Sequence, residues 1–555
     1  GCGEFLLAVI QYFDNHVLGY SRKKLATQLR GVDVNPIALM ITIARIVSAV
    51  EAEDDENLLR EVAKNFIVGN PLLHSDKIAP LEVRFDNFAL NRLYAETEGI
   101  NCLELEQQNL VVLGNPPWEK LRFEERAFFR PVCPAISAIS QKNKREKEIK
   151  KLAVNWLELL EYYQLLQDDY ASVKKEIPKH PLLKVSLVGE LNTYAIASRL
   201  TEKDGFAAII VKSALVTSTC YSSCFRHFVN QGSLSEVFLF DNREKLFQID
   251  SREKFCVLFF GGEHAGGIKV HYGLTKQEQI LSSVPINVTS EELELINPET
   301  GLLPNVADSK EFSFLLRTHR SLSVFAKEFP KCHFGRLVHL TAHAEHISTK
   351  SEKTRVPIYE GKFIEQYDNR FSTFAGMSAD ERYQAKASAR RQPGDSFVAP
   401  KLAPECRYFI DKKFWESFLD RYDQPYSLCW RSLTSPTNQR TMIASIIPSM
   451  PTCQSVQLLQ TTPVEDLLMI LALFNSKVFD FFVRLKMGGI DLTQSVVRQI
   501  PVPFREAWNS MVTLHGVDYT ALDAVRALER LLYRNEPDLC GLWDGVPEIK
   551  NADNY

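Results

Sequence analysis

The sequence predicts an α/β protein: an open, mainly parallel sheet with a helical insertion, then an irregular α+β domain and C-terminal helices. Two observations support this prediction. In residues 1–262, short runs rich in branched and aromatic residues, such as Phe206–Val211 and Cys256–Phe260, alternate with helical stretches. Between Val270 and Cys453 the helical periodicity weakens, and prolines, aromatics and turns are dispersed.

These changes in texture predict three segments. The first spans residues 1–269 and contains the sheet, with a charged helical insertion at about 119–185. The second, α+β domain spans residues 270–453. The third, helical segment spans residues 454–555 and contains two amphipathic patterns, Thr462–Lys486 and Asp518–Tyr533.

The overall composition is that of a soluble globular protein. The chain has 555 residues, of which 45% are hydrophobic and 24% are charged, and no apolar run approaches the ~20 residues of a membrane span. Without a secretory signal or a membrane span, we expect a cytoplasmic protein with no membrane partner. The eleven cysteines are scattered, which favours reduced thiols and no metal site. The chain begins with Gly1 and no strand precedes it, so we interpret the sequence as a fragment lacking an N-terminal portion.

Charge along the chain is uneven. The net charge is −4, yet lysine and arginine outnumber aspartate and glutamate between Lys310 and Met450. A locally basic surface suits phosphate binding, whereas the alternative is an ordinary solvated face. Four residues beside glycine and proline turns are candidates for contacts with DNA bases, although each could equally meet only phosphate or water: Arg382, Lys386, Arg390 and Arg391.

Two motifs near the start suit nucleoside binding. Gly1-Cys2-Gly3 offers glycines that allow a backbone to approach a ligand closely, although the motif alone is weak. Asp33 ends a short strand, and a helix starts shortly afterwards at Pro36. A carboxylate at such a strand end can accept hydrogen bonds from both ribose hydroxyls of a nucleoside. The alternative role for Asp33 is a cap of that helix.

The third motif is the most specific in the chain. The apolar strand Leu110–Leu113 runs into Gly114-Asn115-Pro116-Pro117-Trp118. The prolines fix φ and remove two donors, which leaves carbonyl oxygens and the Asn115 side-chain oxygen to accept hydrogen bonds from an amino group. Trp118 adds a face for stacking. The alternative is a rigid structural turn.

The order of these motifs resembles that of the adenine-N6 DNA methyltransferases. It is most similar to the subgroup in which cofactor motifs come first and a target-recognition domain last, as in type IIG restriction-modification enzymes and the methylases of related phage-defence systems. The resemblance covers Gly1 to about Phe504. Further runs that resemble this family are Gly189–Tyr194, Gly205–Leu215, Phe247–Phe255, Val356–Lys362, Asn475–Lys477, Asp491–Ser495 and Ile500–Pro503.

The resemblance implies a Rossmann-like sheet that binds S-adenosyl-L-methionine and transfers its methyl group to N6 of a flipped-out adenine in double-stranded DNA. It assigns catalysis to Asn115, Pro116, Pro117 and Trp118. Target-base stacking falls to Trp118 and Phe247; an ordinary core role is the alternative for Phe247. Cofactor binding falls to Gly1, Gly3, Asp33, Asn70 and Asn115, with Asn70 standing where the family usually has an acid.

The resemblance also makes residues 270–453 the target-recognition domain. A nuclease domain or subunit and other defence-system proteins are expected partners. Two kinds of alternative share these features. RNA methyltransferases and protein-glutamine methyltransferases use the same Asn-Pro-Pro-aromatic motif, but they are typically much shorter. A catalytically silent DNA-recognition subunit is the other alternative.

Overall fold

The structure is a computed structural model that describes residues 2–33, 35–68, 110–116, 118, 123–140, 142–176, 205–251, 253–261, 266–384, 387–394 and 400–549. The chain divides into two compact units. The N-terminal unit comprises Gly1–Val216 and Cys220–Ser290, and the C-terminal unit comprises Thr217–Thr219 and Glu291–Tyr555. Within the described ranges, no helix combines the length and the apolar composition needed to cross a membrane.

The N-terminal unit begins with four helices and two short strands: α1 (Glu4–His16), α2 (Arg22–Gln28), β1 (Gly31–Asp33), α3 (Pro36–Ala49), α4 (Glu56–Ala63) and β2 (Phe66–Val68). The strands pair in parallel, with Gly31 opposite Phe66. Gly31 is needed there, because a Cβ atom would lie 2.7 Å from the Phe66 ring. The helices bury one apolar cluster that includes Ile46 and Val62.

A six-stranded sheet forms the second part of this unit. Its strands are β3 (Leu110–Gly114), β4 (Gly205–Lys212), β5 (Leu234–Asp241), β6 (Lys254–Phe260), β7 (Ile268–Leu274) and β8 (Ile286–Val288), in the spatial order β3-β4-β6-β5-β7-β8. The pairs β3–β4 and β5–β7 are parallel, and the other three pairs are antiparallel. The sheet is therefore mixed, where the sequence predicts a mainly parallel one.

The difference arises at β6. A parallel return needs a crossover, usually through a helix. The described residues between β5 and β6 instead contain one turn of 3-10 helix, Asn242–Glu244. The chain therefore comes back in the opposite direction, and β6 is inserted between β4 and β5.

Between β3 and β4 lie the helices α5 (Glu125–Val132), α6 (Pro134–Ala138), α7 (Lys142–Asn155) and α8 (Leu157–Glu176), within the predicted helical insertion. They bury a small core of their own around Phe129, Ile149 and Tyr163. Tyr163 donates a hydrogen bond to Glu125, which also pairs with Arg145. The insertion is thus stabilised locally.

Three more helices are described in the N-terminal unit: α9 (Ala214–Thr217), α10 (Ser222–Asn230) and α11 (Gln279–Ser282). Helix α12 (Ser290–Ile296) starts at the last residue of this unit and continues into the C-terminal unit. The predicted boundary between residues 269 and 270 falls inside β7, which pairs with β5 and β8. The contacts divide at Ser290 instead. Both β7 and β8 therefore belong with the sheet and not with the following domain.

The C-terminal unit is built on a four-stranded antiparallel sheet in the order β10 (His333–Gly335), β18 (Val456–Gln460), β16 (Tyr426–Arg431) and β17 (Ala444–Pro448). A three-stranded sheet joins β11 (Ile347–Ser348), β15 (Phe409–Asp411) and β12 (Arg355–Pro357). Three strand pairs complete the unit: β9 (Ser323–Val324) with β19 (Pro501–Val502), β13 (Ser372–Thr373) with β14 (Arg390–Arg391), and β20 (Met511–Leu514) with β21 (Val517–Thr520).

The helices of this unit are α13 (Ser309–Ser321), α14 (Phe325–Glu328), α15 (Ala379–Arg382), α16 (Lys412–Leu419), α17 (Glu465–Asn475), α18 (Lys477–Lys486), α19 (Gln494–Arg498) and α20 (Ala521–Leu532). The predicted helix Thr462–Lys486 is two helices, because Ser476 is extended and its hydroxyl caps α18. The predicted segment 454–555 is not separate either, since β18 lies inside the four-stranded sheet.

His319 of α13 is a buried histidine in this unit, with 5% of its surface exposed. Neither ring nitrogen has a hydrogen-bond partner in the described part of the chain. Burial, together with the nearby Lys486 ammonium, lowers the pKa of His319 to about 2. The folded protein therefore keeps the imidazole neutral near pH ~6.5, where the same histidine in the unfolded chain takes up a proton.

This neutrality makes stability depend on pH. Because the folded pKa lies below the unfolded value, the contribution is complete above pH ~6.5 and is lost as pH falls. Between pH 7.5 and 5.5 we expect His319 to account for a loss of about 1.4 kcal/mol in unfolding free energy. Chemical denaturation of His319→Leu at both pH values should show a decline in unfolding free energy that is smaller than in the wild-type protein by about this amount. The exposed His333→Gln is the control, and an equal decline in both variants would contradict the prediction.

Candidate functional site

The site begins at the carboxyl end of β3. In the parallel register Gly114 lies opposite Ile209, so Asn115 leaves the sheet next to Ile210 of β4. Carboxyl ends of neighbouring parallel strands meet at one edge of a sheet, which is where open α/β sheets bind ligands. The side chain of Asn115 is exposed at this edge, and that of Pro116 is partly buried. Pro117 lies outside the described residues.

Trp118 folds back onto this strand end. Its indole N–H donates to the side-chain oxygen of Asn115 at 2.9 Å and to the carbonyl oxygen of Ile210 at 3.3 Å. The sequence predicts that the Asn115 oxygen accepts from a substrate amino group, and here it already accepts from Trp118. An amide oxygen has two lone pairs, so a second donor can still bind.

Four aromatic rings are in contact with one another, beginning with Trp118 next to Asn115. Trp118 packs on Phe247, with ring centroids 4.9 Å apart and planes at 62°, and is stacked near Phe255 at 5.8 Å and 26°. Phe255 in turn stacks on Phe240 at 4.8 Å. Trp118 and Phe247 were expected to lie on opposite faces of a base. They touch edge to face here, so a base can enter between them only if one ring turns away.

Trp118 and Phe247 line a cleft of 490 Å³, a size typical of small-molecule sites. The cleft is lined by Asn115, Pro116, Trp118, Lys212, Phe247, Ile249, Asp250 and Glu253. Its polar groups include an ion pair in which the Lys212 ammonium lies 3.2 Å from the Glu253 carboxylate. An aromatic wall with a few polar groups suits a flat, hydrogen-bonding ligand such as a nucleobase.

Asn242, which the sequence analysis did not identify, fixes the main chain of Phe247. Its amide group donates to the Phe247 carbonyl oxygen at 3.0 Å, and its oxygen accepts from the Phe247 N–H at 3.0 Å. Asn242 is completely buried. An asparagine after a strand is also a common turn residue, so composition carried no signal for this role.

Of the predicted cofactor residues, Asn115 lines this cleft, whereas Gly3 and Asp33 are not among its lining residues. Asp33 stands at the end of β1, where its carboxylate accepts from the Asn35 N–H at 2.8 Å. The cap of α3 is Asn35, which accepts from Ile37 and Ala38, so the alternative role of Asp33 as the helix cap is wrong. Gly1 and Asn70 lie outside the described residues.

Gly3 precedes α1 in a left-handed conformation, with φ of 81°. A Cβ atom there would lie 2.6 Å from the side chain of Thr42 in α3. Both the backbone conformation and the close approach of α3 therefore require glycine. This requirement stands whether or not a ligand binds at the turn.

The predicted DNA-contacting residues have different surroundings. Arg382 is mostly buried, donates to the Phe374 carbonyl oxygen at 2.9 Å and pairs with Glu405 at 2.6 Å. Arg390 pairs with Glu381 at 3.3 Å. Arg391 is exposed, with its guanidinium 5.4 Å from the ring of Phe371. Lys386 lies outside the described residues. Arg382 is thus engaged in contacts within the chain, whereas the Arg391 side chain is exposed.

No protein-family model and no curated protein matches this sequence. Among solved structures, the chain is similar to the Type IIL restriction-modification enzyme MmeI in complex with DNA. The match has 11% identity and a TM-score of 0.36, and it covers 98% of this chain and 71% of that one.

Two further restriction enzymes show the same level of similarity. A nuclease-deletion mutant of the Type ISP restriction-modification enzyme LlaGI, in complex with a DNA substrate mimic, has 11% identity and a TM-score of 0.42 over 87% of this chain and 48% of that one. The type IIG restriction endonuclease BpuSI has 10% identity and a TM-score of 0.28 over 98% and 65%. All three are restriction enzymes, but similarity this low does not assign an activity.

The contrast between Arg382 and Arg391 is measurable without DNA. Arg382→Ala removes a buried charged hydrogen-bonding group, and we expect the unfolding free energy to fall by about 1–3 kcal/mol. Arg391→Ala removes an exposed side chain and should change it by less than ~1 kcal/mol. Chemical denaturation of both variants tests this. Equal losses would mean that Arg391 is as structural as Arg382.

Proposed function

We propose that this chain transfers a methyl group from S-adenosyl-L-methionine to N6 of an adenine in double-stranded DNA, within a restriction-modification or related phage-defence system. The observation that supports this most is the cleft at the carboxyl end of β3. It brings Asn115, Pro116, Trp118 and Phe247 to one place. These are the groups expected to hold an adenine and its amino nitrogen.

The chemistry depends on how the amino group is held. The lone pair of N6 is delocalised into the adenine ring, which makes the nitrogen a poor nucleophile. Asn115 accepts one N–H through its side-chain oxygen, and the Pro116 carbonyl accepts the other. Held in this way, the nitrogen turns its lone pair toward the incoming methyl group, and once the new N–C bond has formed it gives one proton to solvent water. Positioning and oriented dipoles supply most of the acceleration, without a covalent nucleophile.

The target adenine must leave the duplex first. Extruding a base costs a few kcal/mol, and stacking on aromatic side chains returns ~1–3 kcal/mol per base. Trp118 provides one face, and its indole is already held by Asn115 and Ile210. Phe247 provides the other face after its ring turns away from Trp118. Stacking of a base therefore requires this edge-to-face contact to open.

The residues at the start of the chain fit the proposed cofactor. Asp33 carries a carboxylate at a strand end, which suits ribose hydroxyls, and Gly3 precedes α1 in a left-handed turn without a side chain. When bound, S-adenosyl-L-methionine supplies an electrophilic methyl group. Asp33 and Gly3 would hold it, together with Gly1 and Asn70.

Recognition of the DNA sequence is proposed for the C-terminal unit. The predicted recognition domain 270–453 needs adjustment at both ends, because β7 belongs to the N-terminal unit and β18 completes the four-stranded sheet. Arg391, Arg390 and Lys386 remain candidates for contacts with DNA. A nuclease domain or subunit is a proposed partner in the same system.

Asn115→Ala should abolish methyl transfer, with folding and DNA affinity largely kept. The substitution removes the oxygen that holds the amino group but leaves the backbone of β3 intact. Incorporation of labelled methyl groups into DNA, RNA and protein should be measured in parallel. Label in RNA or in glutamine would favour the corresponding methyltransferase, and no label at all would favour a silent recognition subunit. Asn287→Ala, an exposed asparagine in β8, is the matched control. Turnover in Asn115→Ala equal to that of the control would contradict the assignment.

Asp33→Ala should weaken binding of S-adenosyl-L-methionine by roughly 1.5–3 kcal/mol, because charge-assisted hydrogen bonds to the ribose are lost. Asp33→Asn separates this effect from the local fold, since an amide oxygen still accepts from the Asn35 N–H. Calorimetry should show weakened binding in both variants, with Asp54→Ala, an exposed carboxylate, as control. An unchanged dissociation constant in Asp33→Asn would assign Asp33 to the turn alone.

A further inference from the structure

The segment that carries Phe247 is held from inside the sheet. Asn242 follows β5, begins the 3-10 turn Asn242–Glu244 and has no exposed surface. Between this turn and Phe247 the chain reverses through Lys245, which adopts a left-handed conformation with φ of 53°. Such a conformation is unfavourable for a lysine, so other contacts of the loop must stabilise it.

The contacts of Asn242 account for that stabilisation. Its amide spans both polar groups of one residue, with hydrogen bonds of 3.0 Å to the Phe247 N–H and 3.0 Å to the Phe247 carbonyl oxygen. Burying an amide is costly unless its groups are paired, and here the donor and the acceptor are both engaged with the same residue. The backbone of Phe247 is therefore fixed, although Phe247 lies in a stretch of exposed residues.

These hydrogen bonds leave the side chain of Phe247 unrestrained by Asn242. The ring meets Trp118 at 4.9 Å, and rotation about its side-chain bonds can open that contact without moving the loop. The structure therefore separates two tasks. Asn242 sets where the ring is attached, and the ring itself makes room for a ligand.

We propose that Asn242 is a positioning residue for the target base: it fixes the main chain of Phe247, so that the ring stacks on the base at the correct height opposite Trp118. This inference rests on the proposed function. The role is indirect, because Asn242 is buried behind the loop and reaches the base only through Phe247.

A double-mutant cycle tests the inference with the full chain. The target adenine is first located by mapping the methyl groups that the wild-type protein adds to DNA, and 2-aminopurine is then placed at that position. On DNA with adenine at the target position, Asn242→Ala should lower the single-turnover rate of methyl transfer about tenfold, the loss expected for two ordinary hydrogen bonds. On the 2-aminopurine DNA it should reduce the fluorescence signal of base extrusion. Binding of S-adenosyl-L-methionine should be unchanged. Asn242→Asp keeps the acceptor but turns an oxygen toward the Phe247 carbonyl oxygen in a buried site, so it should not restore activity.

The decisive comparison is Asn242→Ala combined with Phe247→Ala. If Asn242 acts through Phe247, the double variant should be no slower than Phe247→Ala alone. Asn297→Ala, which removes a buried asparagine bonded to the Leu302 carbonyl oxygen, controls for lost stability and should keep its rate per folded molecule. Additive losses, or an unchanged rate in Asn242→Ala, would overturn the inference alone. A wild-type protein that adds no methyl group to DNA would overturn the proposed function as well.

Discussion

The parallel pairing of β3 with β4 is the constraint on which the candidate site depends. Five consecutive residue pairs, from Leu110 opposite Gly205 to Gly114 opposite Ile209, bring together strands that are far apart in the sequence. The pairing places Asn115 beside Ile210, and the Trp118 indole then bonds to both. Without this register, the turn after β3 would have no carbonyl to hold the indole.

The segment between β5 and β6 forms the opposite wall, with Phe247, Ile249, Asp250 and Glu253. Strand β6 pairs with β4 on one side and β5 on the other, so this segment is attached at both ends to the same sheet. Phe255 at the start of β6 then packs between Phe240 and Trp118. One sheet therefore carries both walls of the cleft.

The sequence predicted part of this arrangement. The strand before Asn115 was visible because an apolar run ends abruptly in proline and tryptophan, and Phe247 was identified through resemblance. The direction of β6 was not predictable from composition, because an apolar strand has the same residues whichever way it runs. Asn242 was missed for a similar reason: its role depends on two bonds to a residue five positions later, and no local pattern encodes them.

The pairing of β3 with β4 also determines how much the helical insertion between them can vary. Since β3 and β4 hold each other through their own backbone, the chain that connects them is free to change in length. Closing a longer connection costs little, about 0.6 kcal/mol for each doubling. The helices α5 to α8 also bury their own core around Phe129 and Tyr163. Evolution can therefore exchange or remodel this arm, and engineers can graft onto it, while the strand ends that form the cleft keep their places.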